Sequence, residues 1–291
     1  MIFVICGATG SGKTKAAEML SDFYNAPIIN ADAFQIYQEM NIGTAKIKED
    51  DKYFSRHYLL NIKKPSEEFS VMEYQSLFRE KMADLQGKFN NIIVCGGTGL
   101  YIRASLYDYK FEEQEETDTS DLERMNNDEL YALLQKLDPD SCSSIHPNNR
   151  KRVIRAIVIA KTSKSTRSQN IGSQEHKIIY KDVKVLMINP DREQLYENIN
   201  KRVDQMFEEG LVNEVKDLLN KYLLSKTASA AIGYKEVIDY LNNKLTLDDC
   251  KELIKKRTRN YAKRQVTFFK NQFELTMYES AEQLVQDNIR R

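Results

Sequence analysis

GATGSGKT, Gly7 to Thr14, is the segment that most limits what this chain can fold into. It matches G-x-x-x-x-G-K-[ST] in full. It also stands between an unbroken apolar run, MIFVI, and a segment with helical spacing, KAAEMLSDFY. Strand, glycine-rich loop and helix in that order form the setting in which the pattern binds phosphate. The glycines let backbone N–H groups turn inward toward phosphate oxygens, and the helix N-terminus adds its positive dipole. Lys13 supplies a full charge. Gly7, Ala8, Thr9, Gly10, Ser11, Gly12, Lys13 and Thr14 are therefore expected to hold a phosphate-bearing group, with the Thr14 hydroxyl on Mg²⁺.

A continuously apolar strand is buried on both faces, as in a parallel sheet. Two further runs repeat the pattern: PIINAD and NNIIVCGG, the second ending in glycines. VMEYQSLFREKMADLQ lies between them at helical spacing. Strands alternating with helices predict an α/β fold with a P-loop parallel sheet. The pattern breaks at EEQEETD, Glu112 to Asp118, and helical segments follow to about Lys164. SKSTRSQNIGSQEHK is polar and reads as a loop, and VKVLMIN restores a strand. The chain thus divides into a P-loop core at 1–111, a helical insertion domain at 112–180, and core completion with a helical C-terminal part at 181–291. Asp191 is placed to cap a helix ending near Gly210, and Thr246 with Asp249 to open another.

Nucleotide hydrolases usually add an apolar strand ending in an acid that holds Mg²⁺ or its water. Here the matching strand ends in GGT. The acid is instead Asp32, at the end of the strand after the loop, where it overlooks the crevice in which α/β folds bind ligands. A carboxylate there can take a proton from a nucleophile that attacks a phosphate-bearing substrate. Small-molecule kinases and enzymes that expel diphosphate from an alkyl donor both use that arrangement.

Acidic and basic residues balance at 43 each, so net charge excludes nothing. Their distribution is more telling. Basic residues gather in NNRKRVIRA and KKRTRNYAKRQ; Lys256, Arg259 and Lys263 of the second, with Lys270 just beyond it, fall close to one helical face, a pattern suited to a polyanion. Cys6, Cys95, Cys142 and Cys250 are too scattered for a metal site or a disulfide framework, which suggests reduced thiols in a cytoplasmic protein. His57, His146 and His176 form no zinc pattern. No apolar run is long enough to cross a membrane.

Seven segments in order, GATGSGKT, NADAFQIYQEMNIGTAKI, CGGTGLYIRA, DPDSCSSIHPNNRKRVIRA, DREQLYENINKRVDQMFEEGLVNEV, AAIGYKEV and TRNYAKRQVTFF, resemble the bacterial-type tRNA isopentenyltransferases over nearly the whole chain. The resemblance implies transfer of a dimethylallyl group from dimethylallyl diphosphate to N6 of adenosine 37, beside the tRNA anticodon. It implies diphosphate in the loop, Mg²⁺ as cofactor, a monomer, and no membrane. It further implies Asp32 as general base, Thr98 as a catalytic-site threonine and Arg202 as a holder of diphosphate. The tRNA contacts it implies are Asp32, Ala33, Phe34, Gln35, Lys151, Arg152, Arg155, Gly233, Tyr234, Lys235, Lys263, Arg264, Gln265 and Lys270. Gln35 is expected to meet a base edge.

The chain departs from the family pattern at Ala33, where serine is usual, and at Phe268, where tryptophan is usual; it has no tryptophan. It also has only the acidic connector where longer members carry an extended segment. Two other readings compete. A small-molecule or nucleotide kinase would use Asp32 as acceptor base and prefer ATP as donor. A non-catalytic RNA-binding protein would have no need of Lys13, Thr14, Asp32 and Thr98 together.

Overall fold

The structure, a computed structural model, describes residues 1–111, 117–163, 165–172 and 177–289. The chain forms two compact units, one of residues 1–106 and 180–291, the other of 107–179.

In the first unit, β1 (Ile2–Gly7), β2 (Ile28–Asn30), β3 (His57–Tyr58), β4 (Ile92–Gly96), β5 (Val183–Ile188) and β6 (Thr276–Tyr278) form one sheet, in the order β3-β2-β4-β1-β5-β6. Every pairing is parallel. β1 is buried along its whole length, as its unbroken apolar run requires. β2, β3 and β4 lie to one side of it and β5 and β6 to the other, so a topological switch point stands at its carboxyl end, where such sheets bind ligands.

Helix α1 (Lys13–Tyr24) follows the phosphate loop and packs Ala16, Ala17 and Leu20 against Phe3, Ile5, Ile28 and Ile93. The two alanines bring helix and sheet close, and each large apolar side chain buried there is worth roughly 1.5–3 kcal/mol. Helix α2 (Val71–Gln86) opens on a capping box between Ser70 and Glu73. Its Tyr74 stacks on Tyr101 of α3 (Gly99–Leu106), with ring centroids 4.2 Å apart. The Tyr74 hydroxyl donates to the Asn30 carbonyl at 2.8 Å, fixing the end of β2 just before Asp32.

In the second unit, α4 (Ser120–Arg124), α5 (Asn127–Leu137) and α6 (Arg150–Thr162) surround a small core that includes Leu130, Leu134, Val153 and Ile157, and α7 (Arg167–Gly172) lies beside α6. Helix α7 corrects the expectation of a loop there: Ser168 donates its backbone N–H and its hydroxyl to buried Asp138, which supports a turn of helix in a polar sequence. Most of the acidic connector, at 112–116, and His176 lie outside the described residues.

The first unit continues with α8 (Arg192–Glu208), α9 (Leu211–Lys221), α10 (Lys226–Ser229), α11 (Tyr234–Leu241), α12 (Leu247–Gln272) and α13 (Ala281–Ile289). Asp191 caps α8 by accepting from the N–H groups of Glu193 and Gln194, and the Thr246 side chain caps α12. The helical C-terminal part also carries β6, which extends the sheet beside β5. No helix among the described residues is long and apolar enough to cross a membrane.

Candidate active site

A cavity of about 320 Å³ opens at the carboxyl ends of β1, β2 and β4. Thr9, Lys13 and Thr14 of the phosphate loop line it, with Asp32, Phe34 and Gln35 from the turn after β2. Arg202 enters from α8, and Tyr261, Arg264 and Gln265 from α12. Residues far apart in sequence and singled out for separate reasons thus converge on one space. An apolar portion, including Ile47, Ile199, Val203, Met206, Ile232 and Ile254, adjoins the charged one.

The loop is held open by left-handed backbone at Gly10 (φ 78) and Gly12 (φ 95), which residues bearing a Cβ rarely adopt. Lys13 Nζ donates to the Ala8 carbonyl at 2.7 Å. Burial lowers the Lys13 pKa; nearby Arg202 adds to this and Asp32 opposes it. The Arg202 pKa is likewise lowered by burial and partly restored by Asp32. Arg202 Nη2 donates to the Thr44 carbonyl at 3.4 Å, while its buried Nε has no partner. Two desolvated cations facing one carboxylate form a site that a polyanionic ligand would stabilise.

Asp32 Oδ1 accepts from the N–H groups of Phe34 at 2.9 Å and Gln35 at 3.4 Å, so the carboxylate also sets its own turn. Thr98 orients that turn from the other side. Its N–H donates to the Ala31 carbonyl at 3.1 Å, and its Oγ1 accepts from the Ala33 N–H at 3.0 Å. The backbone of Ala33 thus makes the contact with Thr98.

Among the described residues, no group of three or more His, Cys, Asp or Glu side chains is arranged to hold a metal. Mg²⁺ needs none, since it keeps most of its waters and takes its remaining ligands from a hydroxyl or carboxylate and from phosphate oxygens. The Thr14 hydroxyl beside a phosphate loop fits that demand.

Three residues expected at the RNA are buried in the structure. Tyr234 is fully buried, its ring against Gly43 and its hydroxyl donating to Glu214 Oε1 at 2.7 Å. Gly233 is buried as well. Gln265 is a clamp: its Oε1 accepts from the Thr9 N–H at 3.0 Å and its Nε2 donates to the Gly97 carbonyl at 2.8 Å, joining the phosphate loop to the loop after β4. Gln35 faces the cavity, but its amide N–H₂ is engaged by the carbonyls of Thr44 at 3.1 Å and Ala45 at 3.4 Å. Lys235, Lys263, Arg264 and Lys270 are exposed in the first unit, as are Lys151, Arg152 and Arg155 on α6 of the second. On the basic face of α12, Arg259 is drawn aside by Asn200 Oδ1 at 2.6 Å. Phe269 is buried, and Phe268 packs against Gly99.

Sequence reasoning gave His57, Tyr261 and Glu214 no place in the site, setting His57 aside because it forms no zinc pattern. His57 carried a periodicity signal, since it heads an apolar HYLL run, yet it lines the cavity with its Nε2 buried and unpartnered. Burial pushes the Tyr261 phenol up to about 12, with the Asp32 charge adding to the effect.

Residues 35–272 match the family model described as IPP transferase. The chain is 41% identical over 286 residues to the tRNA dimethylallyltransferase of Anoxybacillus flavithermus, covering 98% of this chain and 92% of that protein. It is 40% identical over 284 residues to the Bacillus subtilis protein of the same name, covering 96% and 90%. The crystal structure of a tRNA delta(2)-isopentenylpyrophosphate transferase from Staphylococcus epidermidis superposes with a TM-score of 0.71 at 35% identity, covering 99% of this chain and 96% of that one. A eukaryotic dimethylallyltransferase acting on tRNA gives a TM-score of 0.81 at 29% identity, covering 99% of this chain and 75% of that one.

Proposed function

Because the chain belongs to the IPP transferase family, we propose that it transfers a dimethylallyl group from dimethylallyl diphosphate to N6 of adenosine 37 in tRNA. One observation carries the reading: Asp32, Lys13, Arg202 and the phosphate loop line a single cavity that also has an apolar portion, with Ile47, Ile199, Val203 and Met206. The charged part suits diphosphate and the apolar part suits a five-carbon alkyl chain.

The N6–C1 bond forms as the C1–O bond to diphosphate breaks. The adenine amine is a poor nucleophile, because its lone pair is delocalised into the ring, but becomes strongly acidic as carbon bonds to it. Asp32 accepts that proton, a contribution typically worth about 10²–10⁴ in rate. Thr98 holds the turn that aims Asp32. Lys13, Arg202 and the loop N–H groups neutralise the charge gathering on the departing diphosphate. Mg²⁺ held by the Thr14 hydroxyl would supply further neutralisation of the diphosphate oxygens. The base must leave its stack to reach Asp32, at a cost of a few kcal/mol, less in a loop than in a duplex.

Exposed Lys151, Arg152, Arg155, Lys235, Lys263, Arg264 and Lys270 offer phosphate contacts that position the RNA without reading it. We place the reaction in the cytoplasm and the active species as a monomer. The test is incubation with unmodified tRNA and either dimethylallyl diphosphate or ATP, followed by mass analysis of the nucleosides. An N6-dimethylallyl adenosine formed only with the first donor supports the reading. Phosphoryl transfer from ATP with no alkylated nucleoside would refute it in favour of a kinase.

A further inference from the structure

Glu214 stands in the first turn of α9 and is absent from the reaction as described above. Its carboxylate grips three consecutive backbone N–H groups: Oε2 accepts from Asn41 at 3.0 Å and Ile42 at 2.7 Å, and Oε1 from Gly43 at 3.2 Å. Oε1 also accepts from the Tyr234 hydroxyl. Consecutive N–H groups turned to one side make an anion cradle, filled here by a side chain of the same protein. The cradle leads directly into the carbonyls of Thr44 and Ala45. Those two groups hold the Gln35 amide, and the Thr44 carbonyl also receives Arg202 Nη2. Ala45 sits at φ 45, a backbone state that residues with a Cβ adopt only where their surroundings impose it. Gly43 is confined by the ring it supports, since a Cβ there would lie 2.4 Å from Tyr234 Cε2. The loop is thereby fixed in one conformation from outside the cavity.

We propose that Glu214, braced by Tyr234, is a positioning residue: by gripping the N–H groups of residues 41–43 it presents the Thr44 and Ala45 carbonyls that aim Arg202 and Gln35 into the cavity. The inference rests on the transferase reading for its effect on rate. It also accounts for two motifs of the resemblance, IGTAK and IGYKE, as the two halves of one joint, Gly43 against Tyr234.

Glu214→Gln keeps the shape but turns an N–H₂ toward backbone donors, so the loop must shift. A displacement on the order of 1 Å at a catalytic group can cost about 10²-fold. Single-turnover transfer in Glu214→Gln should therefore fall by roughly that factor, with tRNA affinity unchanged and inorganic diphosphate bound more weakly by calorimetry. The deciding measurement is a double-mutant cycle with Arg202→Ala. If Glu214 acts through Arg202, adding Glu214→Gln to Arg202→Ala should cost little more, in transfer and in diphosphate binding. Equal fold-losses in the two backgrounds, or a drop fully explained by lost tRNA affinity, would overturn the proposal. Should Glu214→Gln not fold, the cycle is run with Tyr234→Phe, which removes one donor and keeps the ring on Gly43. A few-fold coupled loss is expected there, and an additive one refutes the clamp. A wild-type protein that transfers no alkyl group would end the transferase reading, while the diphosphate-binding cycle would still decide the clamp.

Discussion

Replacing Gln265 by methionine tests whether the two loops flanking the catalytic turn are joined as described. Methionine fills nearly the same volume and stays apolar, so packing is conserved. Two hydrogen bonds are lost. The Thr9 N–H is only partly buried and borders the cavity, where water can replace its partner, so its loss costs about 0.5–1.5 kcal/mol. The Gly97 carbonyl bond is buried, and an acceptor orphaned there costs about 1–3 kcal/mol. The sum is about 1.5–4.5 kcal/mol, which lowers a urea midpoint by roughly 1 M at a slope of about 2–3 kcal/mol per M. Urea unfolding followed by circular dichroism reads the total. Hydrogen exchange of peptides spanning Thr9 and Thr98 reads the loops locally, and both should lose protection while β1 keeps its own. Gln265→Glu retains an acceptor for Thr9 but no donor for Gly97, so it should not recover wild-type stability. A Gln265→Met stability within about 0.5 kcal/mol of wild type would show that the bridge contributes nothing and that the joint lies elsewhere.

Asp32→Asn keeps an Oδ1 acceptor for the Phe34 N–H, so fold and tRNA binding should survive while single-turnover transfer slows by at least about 10²-fold; a near-wild-type rate would remove Asp32 as base. Lys256, Lys263 and Lys270 are exposed on α12; changing all three to alanine should flatten the log–log salt dependence of tRNA binding by about 2 units, leaving the adenosine chosen unchanged, and an unaltered slope would make this face mere solvated surface. Two half-buried groups should show opposed pH effects on stability. Burial holds His57 down to about 4 against an ordinary 6.5, so below pH 6.5 the unfolded chain takes up a proton that the folded chain refuses, and stability falls as pH drops toward 4. Burial, with the Asp51 charge, holds Glu18 up to about 7 against 4.5, so stability falls as pH rises from 4.5 to 7. Each slope is at most about 1 kcal/mol per pH unit after solvent screening. Wild-type stability should be nearly flat between them; Glu18→Gln should lose stability toward acid and His57→Gln toward neutrality, and parallel profiles for all three would contradict this.

The features legible in the sequence were those whose cause is local. The phosphate loop, the cap at Asp191 and the buried row Leu195, Ile199 and Val203 each follow from a few neighbouring residues. β3 and β6 were not legible, because neither His57–Tyr58 nor Thr276–Tyr278 contains the continuous apolar run that marks β2. The internal partners of Tyr234 and Gln265 were not legible for a different reason. A tyrosine in a glycine-flanked motif and a glutamine in a basic helix look exposed until their partners, Gly43 and Gly97, are known. Glu214 gave no signal at all, since its donors are backbone N–H groups 171 to 173 residues away, and a backbone donor leaves no trace in residue identity.

The order of the sheet also bears on how the protein is made. β1 emerges first, yet its neighbours start at Ile92 and Val183, and α1 is covered by Ala281, Leu284 and Val285. During synthesis the phosphate loop must wait until Ile188 before its supporting strand has both partners, while residues 107–179 hold a core of their own and complete it earlier. Non-local pairing of this kind slows folding and leaves apolar strands exposed in the interval. The nascent first hundred residues, with MIFVI unpaired on one edge, are thus the stage at which an apolar strand of the core stays longest uncovered.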